Sequence, residues 1–209
     1  MNRPPIRLYR HPLSGHCHRV ELLLSLLGLP CEAVDIDFMK REQKAPSFLA
    51  MNPFGEVPVI DDAGTIVHDS NAILVYLARR YDRDQRWLPL DAKAQAAVQV
   101  WLSAAAGQIA FGPASSRICN LFGRSDDKSD AIALGHRVLA VMEGELGRRA
   151  FLAAAAPTLA DIASYGYIKV APEGDVDLAP YANVRAWLAR VEALPGFVPM
   201  PHTPVGLAA

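Results

Sequence analysis

Cysteine is scarce. The 209 residues hold three, Cys17, Cys31 and Cys119. None stands in a Cys-x-x-Cys pair, and an odd number suggests neither a disulfide framework nor a zinc site, as befits a reducing compartment. Long hydrophobic runs are lacking as well. The greasiest stretch, Leu22 to Leu29, contains Ser25 and Gly28 and ends at Pro30, far too short to span a bilayer. The opening MNRPPIRLYRHP carries no apolar segment of the kind a secretion signal needs, so a cytoplasmic location is expected. Neither charge dominates: 21 Lys and Arg stand against 22 Asp and Glu, a net charge of -1. Arg79-Arg80 and Arg148-Arg149 are isolated pairs rather than a basic stripe, which argues against nucleic acid as a partner.

What is present is ordinary globular material, 51% apolar and 21% charged. At this length it forms one large domain or two small ones, with enough chain to bury a core unaided. The first 80 residues alternate in character. Ile6 to Tyr9 reads as a strand. Val20, Leu23, Leu24 and Leu27 form the apolar stripe of a helix from His16 to Gly28, stopped by Gly28 and Pro30. Cys31 to Phe38 alternates again, and the β-α-β order predicts a parallel pair with a right-handed crossover. A short helix is expected over Ala45 to Met51. Val57 to Ile60 and Thr65 to His68 flank a turn at 61–64 and predict a hairpin. Ser70 to Tyr81 reads as a helix with Ile73, Leu74 and Leu77 inward.

No strand pattern appears after a polar linker at residues 83–91. Helices are expected over Ala92 to Phe111, Asp130 to Arg149, Thr158 to Val170 and Tyr181 to Leu194. The Pro-rich tail after Gly196 is expected to run extended over the surface. The domain reading is therefore 1–82 α/β, 83–91 linker and 92–209 all-helical.

Four stretches can carry chemistry or capping. Ser14 precedes the first helix, where a serine is ordinarily an N-cap. The same position faces free N–H groups and a partial positive charge, which favour an anion. A thiol with a pKa near 8.5 that is shifted down by ~2 units gains ~2.7 kcal/mol as thiolate. His16 and His18 are two residues apart and cannot share a helix face, so no metal site is expected. Val57-Pro58 falls where a strand begins. A cis bond there turns the Val57 main chain outward, ready to pair with a peptide-like ligand. Asp69-Ser70 precedes the 70–81 helix. The pair is a cap in the bland reading, or an ammonium and carboxylate binder for an amino-acid head group. Thr158-Leu159-Ala160-Asp161 is a capping box and purely structural.

In order and spacing these pieces resemble the cytosolic glutathione transferases, over roughly Ile6 to Met200. The resemblance is closest to bacterial members with an active-site serine, and it rests on SGHC (14–17), NPFGEVPVI (52–60), DSNAILVYLA (69–78), TLADIA (158–163) and APEG (171–174). It implies a thioredoxin-like N-terminal domain, an all-helical C-terminal domain and a homodimer. It also implies glutathione as co-substrate, with no metal. Ser14 would hold the glutathione sulfur. Val57, through a cis Pro58, would pair with the cysteinyl part, and Asp69 and Ser70 would take the γ-glutamyl head. Lys44, with Gln43 beside it, would meet the glycyl carboxylate. Where the family often has Asn, this chain has His16, whose imidazole, titrating near pH 6.5, would make thiol activation pH dependent. Tyr9 reads as a packed strand residue.

The electrophile, a small apolar molecule, is expected between the domains against Leu13, Phe54 and a helix face bearing Gln108, Phe111 and Ser115. Gly112-Pro113 predicts a bend in that helix. Two alternatives stand beside conjugation. One is a glutathione-dependent thiol-disulfide reductase or peroxidase working through Cys17 or through bound glutathione. The other is a transferase-shaped binding or regulatory protein without catalysis.

Overall fold

The alternation of Ile6 and Leu8 with exposed neighbours buries one side of the first strand and so begins the sheet. A computed structural model describes residues 4–209; the first three positions of the expected 1–82 unit lie outside the described residues. Strand β1 (Ile6–Arg10) leads into α1 (Gly15–Leu26), then β2 (Cys31–Asp35), a 3-10 turn at Glu42–Lys44 and the single-turn α2 (Pro46–Leu49). The hairpin β3 (Val59–Asp62) and β4 (Thr65–His68) precedes α3 (Ser70–Tyr81). The sheet order is β2-β1-β3-β4. β1 runs parallel to β2, with Leu8 opposite Ala33, and antiparallel to β3, with Leu8 opposite Ile60. The parallel pair, the hairpin and the bounds of α3 follow the sequence pattern.

Helix α1 departs from it in one respect. Val20, Leu23 and Leu24 are buried as expected, but so are Leu22, Cys17, His18 and Arg19. The helix has no broad polar face because the second domain packs against it from the other side. Its role as the wall shared by both halves places its N-terminus at their junction.

The second half is helical: α4 (Ala92–Ala106), α5 (Ser115–Leu121), α6 (Ser129–Leu146), α7 (Leu159–Lys169) and α8 (Ala182–Glu192). The capping box opens α7, with Thr158 accepting from the chain and Asp161 reaching back to the Thr158 N–H. Asp161 is fully buried and also holds the Leu152 N–H and the Trp187 indole. One continuous apolar core runs from Ile6 and Leu8 through α1 and α3 into α4, α6, α7 and α8.

The expected helix from Ala92 to Phe111 is not continuous. It ends at Ala106, Gly107 leaves helical geometry, and a wide π turn spans Ala110–Ala114 before α5 sets off. Gly112 lies so close to α6 that a Cβ there would stand 2.9 Å from the Gly135 nitrogen. Pro113 supplies no N–H to a regular helix. The tail is not simply extended either. Met200 is buried, and Thr203 donates to the buried Glu173 carboxylate. A 3-10 turn closes residues Gly206–Ala208. No helix among the described residues is long and apolar enough to cross a membrane.

Candidate active site

Ser14 caps α1 in extended geometry, and its Oγ accepts the Cys17 N–H at 3.3 Å. The Ser14 carbonyl accepts from the His18 N–H, and the Ser14 N–H donates to the His11 carbonyl. The loop is thus pinned on both sides of the hydroxyl. It faces a cavity of about 440 Å³ lined by His11, Leu13, Ser14, His16, Phe38, Gln43, Lys44, Gly55, Val57, Arg117, Ile118, Leu121, Phe122 and Tyr167, among others. Leu13, Phe38 and the end of α5 contribute mostly carbon to the lining, and Gln43 and Lys44 from the turn before α2 contribute polar groups.

A second, smaller cavity adjoins it, sharing His16, Glu56 and Val57, and is lined further by Asn52, Phe54, Pro58, His68, Asp69 and Ser70. The Val57-Pro58 peptide bond is cis, and Val57 lies outside the sheet ladder, which begins at Val59. Asp69 caps α3, accepting the Ala72 N–H at 2.9 Å. It does so at φ +69, a backbone conformation that costs a non-glycine residue about 1–3 kcal/mol and tends to persist at functional sites. Lys44 donates to the Phe54 carbonyl at 2.9 Å. Gly55, at φ +63, is what lets the lysine lie there, since a Cβ at that position would meet Lys44 Nζ at 2.7 Å. Beside it, Gln43 Oε1 is buried without a hydrogen-bond partner.

The structure therefore brings Ser14, His16, Gln43, Lys44, Val57, Pro58, Asp69 and Ser70 to two adjoining cavities, with Leu13 in the larger and Phe54 in the smaller. It does not bring Gln108, Phe111 and Ser115 there. None of the three lines either cavity, and Gln108 and Phe111 are exposed. The break at Gly107 and the π turn redirect the chain, so the wall is formed instead by Arg117, Ile118, Leu121 and Phe122 of α5 and the residue after it.

His16 also departs from expectation. Its Nδ1 lies 3.3 Å from Ser70 Oγ, and its ring meets Tyr167 edge-on at 5.1 Å. Desolvation there, aided by the Arg19 charge, pushes the imidazole down to about 3, so it is neutral at every pH at which it was expected to switch. Wild-type stability is expected to fall as pH drops below 6.5 toward 3. In that window the unfolded chain binds a proton that the folded His16 refuses. His16→Asn should show a shallower decline. Urea unfolding of both proteins at pH 7.5 and 4.5 checks this, and equal losses would contradict it.

Cys17 is fully buried, and its Sγ accepts the His11 N–H at 3.4 Å. Burial pushes its thiol up to about 11, the reverse of an activated nucleophile. Tyr9 packs edge-on against Phe48 at 6.4 Å, outside both cavities.

Three residues escaped sequence reasoning. Arg19, fully buried, donates from Nη1 to Ser70 Oγ at 3.2 Å and to Asn71 Oδ1 at 2.9 Å. Burial lowers its guanidinium to about 10, so it is charged at neutral pH. Arg117, equally buried, pairs with Glu173 at 2.6 Å and donates to the Leu13 carbonyl at 2.7 Å, tying the α5 wall to the Ser14 loop. Tyr167 of α7 completes the floor. Arg19 standing four residues before Leu23, on the apolar stripe of α1, is the one available signal. Nothing local marks the other two.

Residues 8–86 match the family described as Glutathione S-transferase, N-terminal domain, and residues 102–195 match Glutathione S-transferase, C-terminal domain. A maize protein, glutathione S-transferase 3, is 32% identical, covering 96% of this chain and 97% of its own. The structure of a glutathione S-transferase from Pseudomonas fluorescens aligns with a TM-score of 0.88 at 33% identity, covering 95% of this chain and all of that one. A glutathione transferase homologue from Drosophila mojavensis, solved with bound glutathione, aligns at 0.81 and 27% identity, covering 91% of this chain and 89% of its own.

Proposed function

We propose, from the premise that the chain belongs to the glutathione S-transferase family, that it joins the thiolate of glutathione to small, largely apolar electrophiles. The observation that carries the reading is the pair of adjoining cavities. The smaller offers Asp69, Ser70 and Pro58, the larger holds Gln43 and Lys44 beside a carbon wall, Val57 lines both, and Ser14 lines the larger next to the shared His16. The tripeptide would lie with its γ-glutamyl head over Asp69 and Ser70, its cysteinyl main chain against Val57 beside the cis Pro58, and its glycyl carboxylate toward Lys44 and Gln43. Asp69 would take the ammonium. Ser70, backed by the buried Arg19, would take the head-group carboxylate, aided by the N-terminus of α3.

The Ser14 hydroxyl would donate to the sulfur and favour its thiolate. The thiolate then attacks the electrophilic carbon, forming a C–S bond as the leaving group departs with its electron pair. The protein contributes thiolate stabilisation and positioning. The electrophile would lie against Leu13, Phe38, Ile118, Leu121 and Phe122, an apolar wall that tolerates many shapes. The same reading divides the labour between residues 1–82 and 92–209 and makes the protein a cytoplasmic homodimer. Exposed Leu90 and Val100 offer apolar surface for a second copy.

Retention on immobilised glutathione, followed by a screen of glutathione consumption with haloarenes, epoxides, isothiocyanates and hydroperoxides, tests the reading. Consumption with hydroperoxides alone would replace conjugation with peroxidase chemistry. Lack of retention would point to a binding protein of another kind. Cys17→Ala is expected to keep most of the conjugating activity, because the thiol it removes is sequestered and protonated. An inactive Cys17→Ala with normal unfolding behaviour would shift the assignment to cysteine-dependent redox chemistry.

A further inference from the structure

His11 stands in the loop between β1 and α1, half-buried, and lines the large cavity together with Leu13 and Ser14. Its backbone is pinned: the N–H donates to Cys17 Sγ at 3.4 Å, and the carbonyl accepts the Ser14 N–H at 3.0 Å. Its ring is held as well. The Leu13 N–H donates to Nδ1 at 3.3 Å, and the imidazole lies tilted over the Phe38 ring, with centroids 4.8 Å apart and an interplanar angle of 32°. A backbone N–H can only donate, so Nδ1 is the acceptor and the ring proton sits on Nε2. Nε2 has no hydrogen-bond partner among the described residues, and it is not sealed from solvent as Gln43 Oε1 is. The ring thus presents an unused N–H, fixed in tautomer and orientation, on the lining it shares with Ser14.

Other polar side chains of that lining are engaged elsewhere. Lys44 donates to the Phe54 carbonyl. Arg117 is taken by Glu173 and the Leu13 carbonyl, and its remaining Nη2 is sealed from solvent. His16 meets Ser70 Oγ. Tyr167 packs against Gly15 at the start of α1. His11 instead shares its face with Phe38, part of the apolar wall.

We propose that His11 is a catalytic residue for the electrophile half of the reaction, its Nε2–H donating to the oxygen on which negative charge gathers, and that it thereby selects electrophiles whose reacting carbon is conjugated to a carbonyl. The inference rests on the transferase reading above and deepens it by naming a substrate class. In an α,β-unsaturated ketone the thiolate adds to the β-carbon and forms the C–S bond. The π pair of the C=C bond shifts toward the carbonyl, and the oxygen becomes an enolate. That charge appears several bonds from the sulfur, so the Ser14 hydroxyl that holds the sulfur does not serve it and a second donor is needed. His11 stabilises the enolate oxygen by hydrogen bonding and keeps its own proton. Water then protonates the α-carbon. The flat Phe38 and imidazole faces suit a planar conjugated molecule.

Two substitutions separate this role from a structural one. His11→Asn places an amide oxygen where Nδ1 stood, so the Leu13 N–H keeps an acceptor, but it has no donor at the Nε2 position. His11→Gln carries an amide N–H out to the Nε2 position and gives up the Leu13 contact. Each full-length protein is assayed with an aryl enone and with benzyl chloride, which has no oxygen to receive the bond. In His11→Asn the ratio of kcat/KM for the enone to that for benzyl chloride is expected to fall about 100-fold, the cost of losing one oxyanion donor. His11→Phe, which keeps a ring on Phe38 without either nitrogen, should fall as far. His11→Gln should recover most of the ratio.

An unchanged ratio in His11→Asn and His11→Phe would overturn the proposal. So would equal falls in His11→Asn and His11→Gln, which would mark the Leu13 contact or packing as the whole effect. An equal fall in Tyr167→Phe, with His11→Asn unaffected, would assign the donor to the phenol. A wild-type protein that conjugates benzyl chloride but not the enone would overturn this proposal and leave the transferase reading intact. Failure to bind glutathione at all would overturn the transferase reading, and it would be seen before any variant is made.

Discussion

Ser14→Ala is expected to lower kcat/KM for conjugation by about 10- to 1,000-fold, up to the cost of losing one transition-state donor. The apparent pKa of bound glutathione should rise. Binding itself should survive, because Lys44, Val57, Asp69 and Ser70 are untouched and lie on other elements. The variant also removes an N-cap, which costs about 1 kcal/mol of stability when Ala replaces Ser. Ser14→Gly separates the two effects, since glycine at a cap costs only a few tenths while deleting the same hydroxyl. Both variants should show the same catalytic loss with different melting temperatures. Retained activity in both would move the sulfur elsewhere. The rival thiol on the same helix, Cys17, is disfavoured by its burial and its hydrogen bond from the His11 N–H.

Arg19→Met is expected to weaken glutathione binding by about 2–4 kcal/mol, the range seen when one member of a buried charge pair is truncated, or roughly 30- to 1,000-fold. Arg19 is 1% exposed, and among the described residues no carboxylate lies within ion-pair distance of it. Asp69, Tyr167 and Cys17 favour its charge through space, yet burial prevails and lowers the guanidinium. Its Nε has no hydrogen-bond partner. A buried cation in this condition is costly in the free protein; Arg19 donates to Ser70, and in the proposed binding mode the head-group carboxylate on Ser70 would be its counterion.

Affinity and stability should therefore respond differently. Met removes the desolvation penalty while keeping much of the side-chain volume, so the melting temperature without ligand should change little or rise. The stabilisation added by saturating glutathione should shrink. Arg19→Lys keeps the charge without the planar fork and should fall between the two. Ser70→Ala, which leaves the arginine in place, should cost about 1–3 kcal/mol of binding. An Arg19→Met protein that folds and binds glutathione as tightly as wild type would place the carboxylate away from Ser70.

The sequence by itself determined whatever depends on neighbours a few residues apart. The apolar stripe of α1, the cap at Ser14, the bounds of α3 from Ser70 to Tyr81, the hairpin around residues 61–64 and the Thr158–Asp161 capping box are of this kind. Their energetics close within one helical turn or one tight turn, so they can be read along the chain. Ser14, Asp69 and Ser70 are legible for the same reason, each standing at a helix start, whereas Gln43 and Lys44 came only with the family resemblance.

The electrophile wall and the electrostatics of the site were decided only by the tertiary structure. Gln108, Phe111 and Ser115 share a face only on an unbroken helix, and the close approach of Gly112 to Gly135 on α6 removes that condition. Arg117 reaches the Leu13 carbonyl across 104 positions of sequence. His16 is neutral because α7 and α3 strip water from it, and Arg19 is buried because α1 is covered on both sides. Desolvation is set by the volume of protein around a group, and that volume is supplied by segments whose approach no local pattern encodes.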